Sequence, residues 1–198
     1  MLLLACLPVA AAGHAQESRQ DASVSGAGFF PRAVNANAVH ESNTIGYGLL
    51  GSYRYMVTPH LAGEANYGFD RDIFKYASSQ GYTRVHTQFQ EFSAEAVYSA
   101  FSYHNLYPFI EGGIGGYLFG IINDSKTSVA TGTLKSSTTI GVPFGGGVAY
   151  ELSPSFDIRV AYRGIVVKAP SFNAPSGYTN TGRYFTITNP VIGVAYHF

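Results

Sequence analysis

The sequence is poor in charged residues, in cysteine and in long apolar runs. Only 12% of its 198 residues are charged, about half the share of an ordinary soluble domain, and the formal net charge is zero. A chain without a basic excess is a poor partner for nucleic acid, so we predict no nucleic-acid binding. The single cysteine is Cys6, so a chain that begins after the first few residues would contain no thiol. Beyond those residues no apolar run approaches the roughly 20 residues of a membrane-spanning helix, which excludes a helical membrane protein.

The first residues resemble an export signal. The segment MLLLACLPVAAAGHAQ has an apolar core from Leu2 to Ala12, and the small residues Gly13 and Ala15 stand three and one positions before a cut at Gln16. We therefore expect a signal peptide over residues 1–15, a short linker over 16–21 and one folded domain over 22–198.

The abundant residues favour strands and turns. The chain contains 23 glycines, 15 tyrosines and 14 phenylalanines, with Ser, Thr and Asn between the apolar stretches. Apolar side chains recur at every second position, as in NTIGYGLLGSYRY and in FDIRVAY, and this period predicts strands with one apolar face. We count eight such strands, the first near residues 23–30 and the last near 184–198.

The predicted connections alternate in length. Short turns lie at 56–60, 102–106 and 152–155, whereas longer polar links lie at 32–43, 71–82, 122–137 and 169–182. Short periplasmic turns and longer extracellular loops are typical of outer-membrane barrels. The predicted fold is all-β, an eight-stranded antiparallel up-and-down transmembrane β-barrel. Pro143 and Pro190 fall inside predicted strands, where we expect local bulges.

The last residues, PVIGVAYHF, carry an apolar stripe on alternate positions. Together with the eight strands, this stripe resembles the small outer-membrane β-barrel family, the OmpA/OmpX-like group, over roughly residues 22–198. The resemblance implies an outer-membrane location, with outer-membrane lipid and the barrel-assembly machinery as partners. It also implies that the stripe is a signal read by that machinery, and its residues are Ile192, Val194, Tyr196 and Phe198.

An eight-stranded barrel has an interior that side chains can fill. Nine charged residues fall on the predicted inward face: Arg54, Glu64, Glu91, Glu95, Glu111, Glu151, Asp157, Arg159 and Arg163. Buried charges must be paired or hydrated, so we predict a plugged, salt-bridged lumen in which these residues are structural. The histidines lack metal-ligand spacing, and we expect no metal and no cofactor. The predicted role is envelope structure or surface interaction through the extracellular loops, with no surface ligand identified.

An enzyme is one alternative to that role. His40, Glu41, Ser42 and Asn43 are similar to the His-x-Ser-Asn motif of outer-membrane lipid A 3-O-deacylases, in which His is the base and Ser the nucleophile. That family carries its motif late in the chain with an acid about a dozen residues beyond, and here Arg54 holds the corresponding place. We therefore predict no enzymatic activity and no catalytic residues.

Two non-enzymatic roles also compete with a plugged barrel. One is a conduit for small solutes or hydrophobic compounds, which would need an open lumen. The second is a soluble lipocalin-like carrier, whose apolar face would point inward and whose charged face would meet water.

Overall fold

The computed structural model describes residues 19–32, 34–36, 39–43, 45–78, 81–122, 135–170, 172 and 183–198, and their regular structure is entirely β. The ten strands are β1 (Gln20–Pro31), β2 (Val34–Ala36), β3 (Val39–Asn43), β4 (Gly46–Thr58), β5 (Leu61–Ser78), β6 (Gly81–Tyr98), β7 (Leu106–Ile121), β8 (Ser137–Ser153), β9 (Phe156–Lys168) and β10 (Tyr184–His197). Within these ranges no helix is long and apolar enough to cross a membrane. The first strand begins at Gln20, inside the segment predicted as a linker.

Eight long strands close into a barrel. Around the barrel their order is β1, β4, β5, β6, β7, β8, β9 and β10, and every neighbouring pair is antiparallel. The last strand pairs with the first from Asp21↔His197 to Pro31↔Ile187, and we call this junction the seam. The prediction of an eight-stranded antiparallel barrel is confirmed.

The two faces of the barrel wall differ as the alternation predicts. Along β1 the side chains of Asp21, Ser23 and Ser25 are buried, whereas Val24 between them is 67% exposed. Val160 on β9 and Ile192 on β10 are likewise exposed and lie opposite each other in the ladder. Apolar side chains therefore face outward and charged ones inward. The alternative of a soluble lipocalin-like carrier is wrong, because it requires the reverse arrangement.

Two of the predicted loops contain strands. The link predicted at 71–82 is wrong, since β5 and β6 continue as one hairpin up to the pair Ser78↔Gly81. The link at 32–43 contains the short hairpin of β2 and β3, and β3 pairs with β5 from Asn43↔Phe74 to Val39↔Ser78. These four strands form a small sheet beyond the last β4–β5 pair, Tyr47↔Arg71, which we call the projecting sheet.

The two prolines inside strands do not produce bulges, and the expectation of bulges there is wrong. Opposite Pro143 the β7–β8 ladder lacks two pairs between Gly112↔Phe144 and Gly115↔Gly141. The β1–β10 ladder beside Pro190 likewise lacks the pairs between Ala27↔Val191 and Phe30↔Thr188. Both ladders resume in the same register. A proline has no N–H group to donate to a neighbouring strand, so the pairs on one side of each proline are missing. On the other side, each proline still pairs with β9.

Candidate functional site

The lumen of the barrel holds most of the chain's charge. Eight of the nine predicted inward charges are buried, namely Arg54, Glu64, Glu91, Glu95, Glu111, Asp157, Arg159 and Arg163. Glu151 is only half-buried, at the turn side, where the Tyr107 hydroxyl donates a 2.9 Å hydrogen bond to its carboxylate. Two further acids, Asp21 and Asp70, are buried although the prediction did not include them.

Arg163 of β9 is the centre of the largest ion-pair network. Its guanidinium lies 2.8 Å from Glu91 and also contacts Glu95, both on β6 across the lumen. The carboxylate of Glu111 lies 3.3 Å from its Nε. Asn66 donates a 2.8 Å hydrogen bond to Glu95, which ties β5 to the same network. One arginine thus holds together carboxylates from two other strands, β6 and β7.

Arg54 and Glu64 form a second, local pair. They face each other on the adjacent strands β4 and β5, and the Arg54 guanidinium lies 2.6 Å from the Glu64 carboxylate. The same guanidinium stacks over the Phe109 ring at 5.1 Å from its centroid, a cation–π contact.

A third set of charges joins the strands at the seam. Arg159 of β9 reaches past β10 to Asp21 of β1 at 2.8 Å, and its Nε lies 3.2 Å from Asp157. The other oxygen of Asp157 lies 2.7 Å from His197 of β10. We call Asp21, Asp157, Arg159 and His197 the seam clasp, because they link the inner faces of the three strands at which the barrel closes.

Above the charges, on the loop side, the lumen is apolar. A cluster of buried side chains, which we call the apolar layer, consists of Phe29, Phe89, Tyr117, Phe119, Ile165, Val167, Ala169, Phe172, Phe185 and Ile187. The Phe89 ring lies 4.8 Å from Phe29 and 5.1 Å from Phe119 between centroids. Glycines make room for the largest member, since a Cβ at Gly115 would lie 2.7 Å from the Tyr117 hydroxyl.

This layer was not predicted from the sequence, because only charged residues were assigned to the inward face. The available signal was the loss of alternation in YLFGII and GIVV, where consecutive residues are apolar. Such runs indicate a strand that is apolar on both faces.

The C-terminal stripe lies outside the barrel, along the seam. Ile192, Val194, Tyr196 and Phe198 are all exposed on the outer face of the last strand and just beyond it. The Phe198 N–H donates a 3.0 Å hydrogen bond to the Gln20 carbonyl oxygen, and the Tyr196 ring lies 5.1 Å from that of Phe156. The stripe therefore continues the apolar outer wall down to its turn-side edge.

The serine and histidine of the enzyme alternative lie away from the lumen. Ser42 pairs with Lys75 and His40 with Ala77, so both belong to β3 in the projecting sheet, and their side chains lie outside the described residues. Among the described parts of the chain, no group of three or more His, Cys, Asp or Glu side chains is arranged to hold a metal ion.

A closed barrel of eight strands, with charges inside and apolar side chains outside, defines an outer-membrane β-barrel. The sequence profile of the outer membrane protein beta-barrel domain matches residues 1–198, and the chain belongs to that family. No curated protein matches the sequence significantly.

Solved structures share the fold at low sequence identity. Neisserial surface protein A matches with a TM-score of 0.60 and 16% identity, over 91% of this chain and 98% of that one. OprG from Pseudomonas aeruginosa matches with a TM-score of 0.65 and 12% identity, over 92% and 97%. Ail, the attachment invasion locus protein of Yersinia pestis, matches with a TM-score of 0.51 and 15% identity, over 90% and 97%. The chain is thus similar in fold to outer-membrane barrels.

Proposed function

We propose that this protein is a non-enzymatic outer-membrane barrel with a closed lumen, which serves envelope structure or surface interaction through its extracellular side. Its partners in this role are outer-membrane lipid, against the exposed apolar wall, and the barrel-assembly machinery, through the C-terminal stripe. The observation that carries the closed lumen is the apolar layer. Its phenylalanine and tyrosine rings pack against one another across the space that a solute would have to pass.

The ion pairs and the apolar layer support closure in different ways. The networks around Arg54, Arg159 and Arg163 occupy the turn-side part of the lumen with paired charges, which are costly to separate. An ion that entered between them would still meet the apolar layer, whose members carry no charge. Desolvation of the ion is expensive there, because the phenylalanine rings and aliphatic side chains of the layer do not replace its hydration shell.

The projecting sheet supports a role at the cell surface. The β5–β6 hairpin extends beyond the barrel wall, and β2 and β3 add two short strands to it. Longer connections face the extracellular side in this class of barrel, so the sheet stands where a surface partner would meet the protein. Ail, which shares the fold, was crystallised in complex with the heparin analogue sucrose octasulfate.

Conductance in planar lipid bilayers tests the closed lumen. The purified wild-type barrel should give little or no steady current. The double variant Phe89→Ala/Phe119→Ala removes two rings of the apolar layer and should leak ions, whereas Phe92→Ala, on the lipid-facing side of the same strand as Phe89, should not. Steady large conductance from the wild type would defeat the closed lumen and favour a conduit.

An assay of lipid A hydrolysis tests the absence of enzymatic activity. Folded protein incubated with lipid A should release no fatty acid. If fatty acid is released, and Ser42→Ala abolishes the release, the deacylase alternative replaces the present proposal.

A further inference from the structure

His197 lies at the turn-side end of the seam, where the first and last strands begin to pair. It forms the terminal pair of the β1–β10 ladder, Asp21↔His197. Its backbone N–H donates a 2.9 Å hydrogen bond to the Ser155 carbonyl oxygen, in the turn before β9. Its Nε2 lies 2.7 Å from the Asp157 carboxylate on the inner face of β9. One titratable side chain therefore joins the three strands at which the barrel closes.

The contact between His197 and Asp157 is largely withdrawn from water. The side chain of Asp157 is 7% exposed and that of His197 is 24% exposed. Water and salt screen a pair weakly at such burial, so the charge on the imidazole matters more here than it would on an open surface. A neutral imidazole can also donate from Nε2, but a hydrogen bond from a charged donor to a carboxylate is the stronger one.

The charges of the seam clasp balance only when His197 carries a proton. Asp21 on β1 and Asp157 on β9 supply two carboxylates, and Arg159 contacts both of them, at 2.8 Å and 3.2 Å. A protonated His197 gives the clasp two cationic and two anionic side chains. A neutral His197 leaves one carboxylate in excess.

The next strands on each side do not correct that excess. Arg54 of β4 lies opposite Asp21, but its guanidinium is paired with Glu64 of β5 at 2.6 Å. Glu151 of β8 lies opposite Asp157 and adds a further carboxylate, which accepts a hydrogen bond from Tyr107. An excess of negative charge favours the protonated form of an imidazole.

We propose that His197 and Asp157 form a pH-dependent latch on the seam, which holds the first and last strands together more firmly in mildly acidic than in alkaline surroundings. In an unfolded chain histidine titrates at about pH 6.5 and aspartate at about pH 4. The stabilisation by the charged pair is therefore fully present just below about pH 6.5, while Asp157 is still ionised. It is lost as the pH rises through the value at which His197 of the folded barrel releases its proton. The latch does not rest on the closed lumen proposed above.

Urea unfolding in lipid vesicles at about pH 6 and about pH 8.5 tests the latch. The folding equilibrium constant of the wild type should fall about fivefold from the lower to the higher pH, which is the roughly 1 kcal/mol by which a hydrogen bond to a charged group exceeds a neutral one. His197→Gln retains an N–H donor that does not titrate, and it should lose this pH dependence. The control is His60→Gln, because the His60 ring contacts the Ser99 carbonyl oxygen at 3.0 Å instead of a carboxylate; this variant should keep the wild-type pH dependence.

A mutant cycle separates the latch from other groups of the barrel that titrate in the same range. His197→Gln, Asp157→Asn and the double variant give the coupling between the two side chains at each pH. This coupling should be about fivefold larger in the equilibrium constant at the lower pH. If Asp157→Asn does not fold, the comparison of His197→Gln with the wild type and His60→Gln still decides.

Three outcomes would overturn the latch. The first is the same pH dependence in His197→Gln as in the wild type. The second is a coupling between His197 and Asp157 that does not change with pH. The third is a loss of pH dependence in His60→Gln as large as that in His197→Gln.

Discussion

The seam clasp gives a sharp test of how the barrel is held closed. The perturbation is Arg159→Ala. Arg159 is 7% exposed, and it is the residue through which β9 reaches Asp21 on β1. Without it, Asp157 keeps the 2.7 Å contact with His197, but Asp21, 3% exposed, loses its charged partner.

The loss of folding free energy in Arg159→Ala follows from the uncompensated Asp21 carboxylate. Removing one member of a buried ion pair costs about 3 to 5 kcal/mol, and we expect the lower end because Asp157 remains paired. The cost arises from a charge left without compensation, so removing that charge as well should recover much of it. The double variant Asp21→Asn/Arg159→Ala should accordingly be more stable than Arg159→Ala alone.

Urea unfolding of the barrel in lipid vesicles, followed by the loss of heat-modifiable gel migration, measures these differences. The single variants and the double variant form a mutant cycle from which the coupling energy of Asp21 and Arg159 is obtained. Gln20→Ala, which changes a neighbouring residue outside the clasp, is the control. The reasoning is refuted if Arg159→Ala unfolds at the same urea concentration as the wild type. It is also refuted if the double variant is less stable than Arg159→Ala by the amount that Asp21→Asn alone costs.

Two further predictions concern the outer wall. Val160→Arg places a charge in the exposed apolar row between Val148 and Ile192, and it should lower the folding free energy in lipid by about 2 to 4 kcal/mol. The inward Ala161→Ser should be tolerated. If Val160→Arg were tolerated and Ala161→Ser were not, the wall would be inside out. Deletion of Phe198 should lower the amount of folded barrel in the outer membrane more than His197→Ala does, and equal membrane levels for the deletion and the wild type would remove the assembly-signal interpretation.

Much of the barrel could be predicted because lipid imposes a strict pattern. A strand that crosses a bilayer must present apolar side chains at every second position, as Ile158, Val160 and Tyr162 do, and such a pattern is readable without a structure. Above the membrane that requirement ends. The β5–β6 hairpin continues to Ser78 and Gly81 through its backbone ladder, but residues 71–82 lack the alternation, so their sequence predicts a loop.

The partners inside the lumen could not be predicted for a different reason. Arg54 and Glu64 are ten residues apart on one hairpin, but Arg159 and Asp21 are 138 residues apart and meet only because the barrel closes. Asp21 also lies in a segment without strong alternation, which the sequence assigns to the linker. Sequence periodicity gives the face on which a side chain lies, whereas the pairing depends on shear and strand order.

The charge balance of the lumen bears on which of its two parts would block ions under the proposed function. Among the described residues seven acids are buried, Asp21, Glu64, Asp70, Glu91, Glu95, Glu111 and Asp157, against three buried arginines, Arg54, Arg159 and Arg163. Three guanidinium groups balance only three of these seven charges, so the others need further partners, protons or water. A region that admits water is a poor barrier to ions by itself. Under the proposed closed lumen we therefore assign the barrier to the apolar layer, whose own members carry no charge, and the ion pairs serve mainly to fix the strands around it.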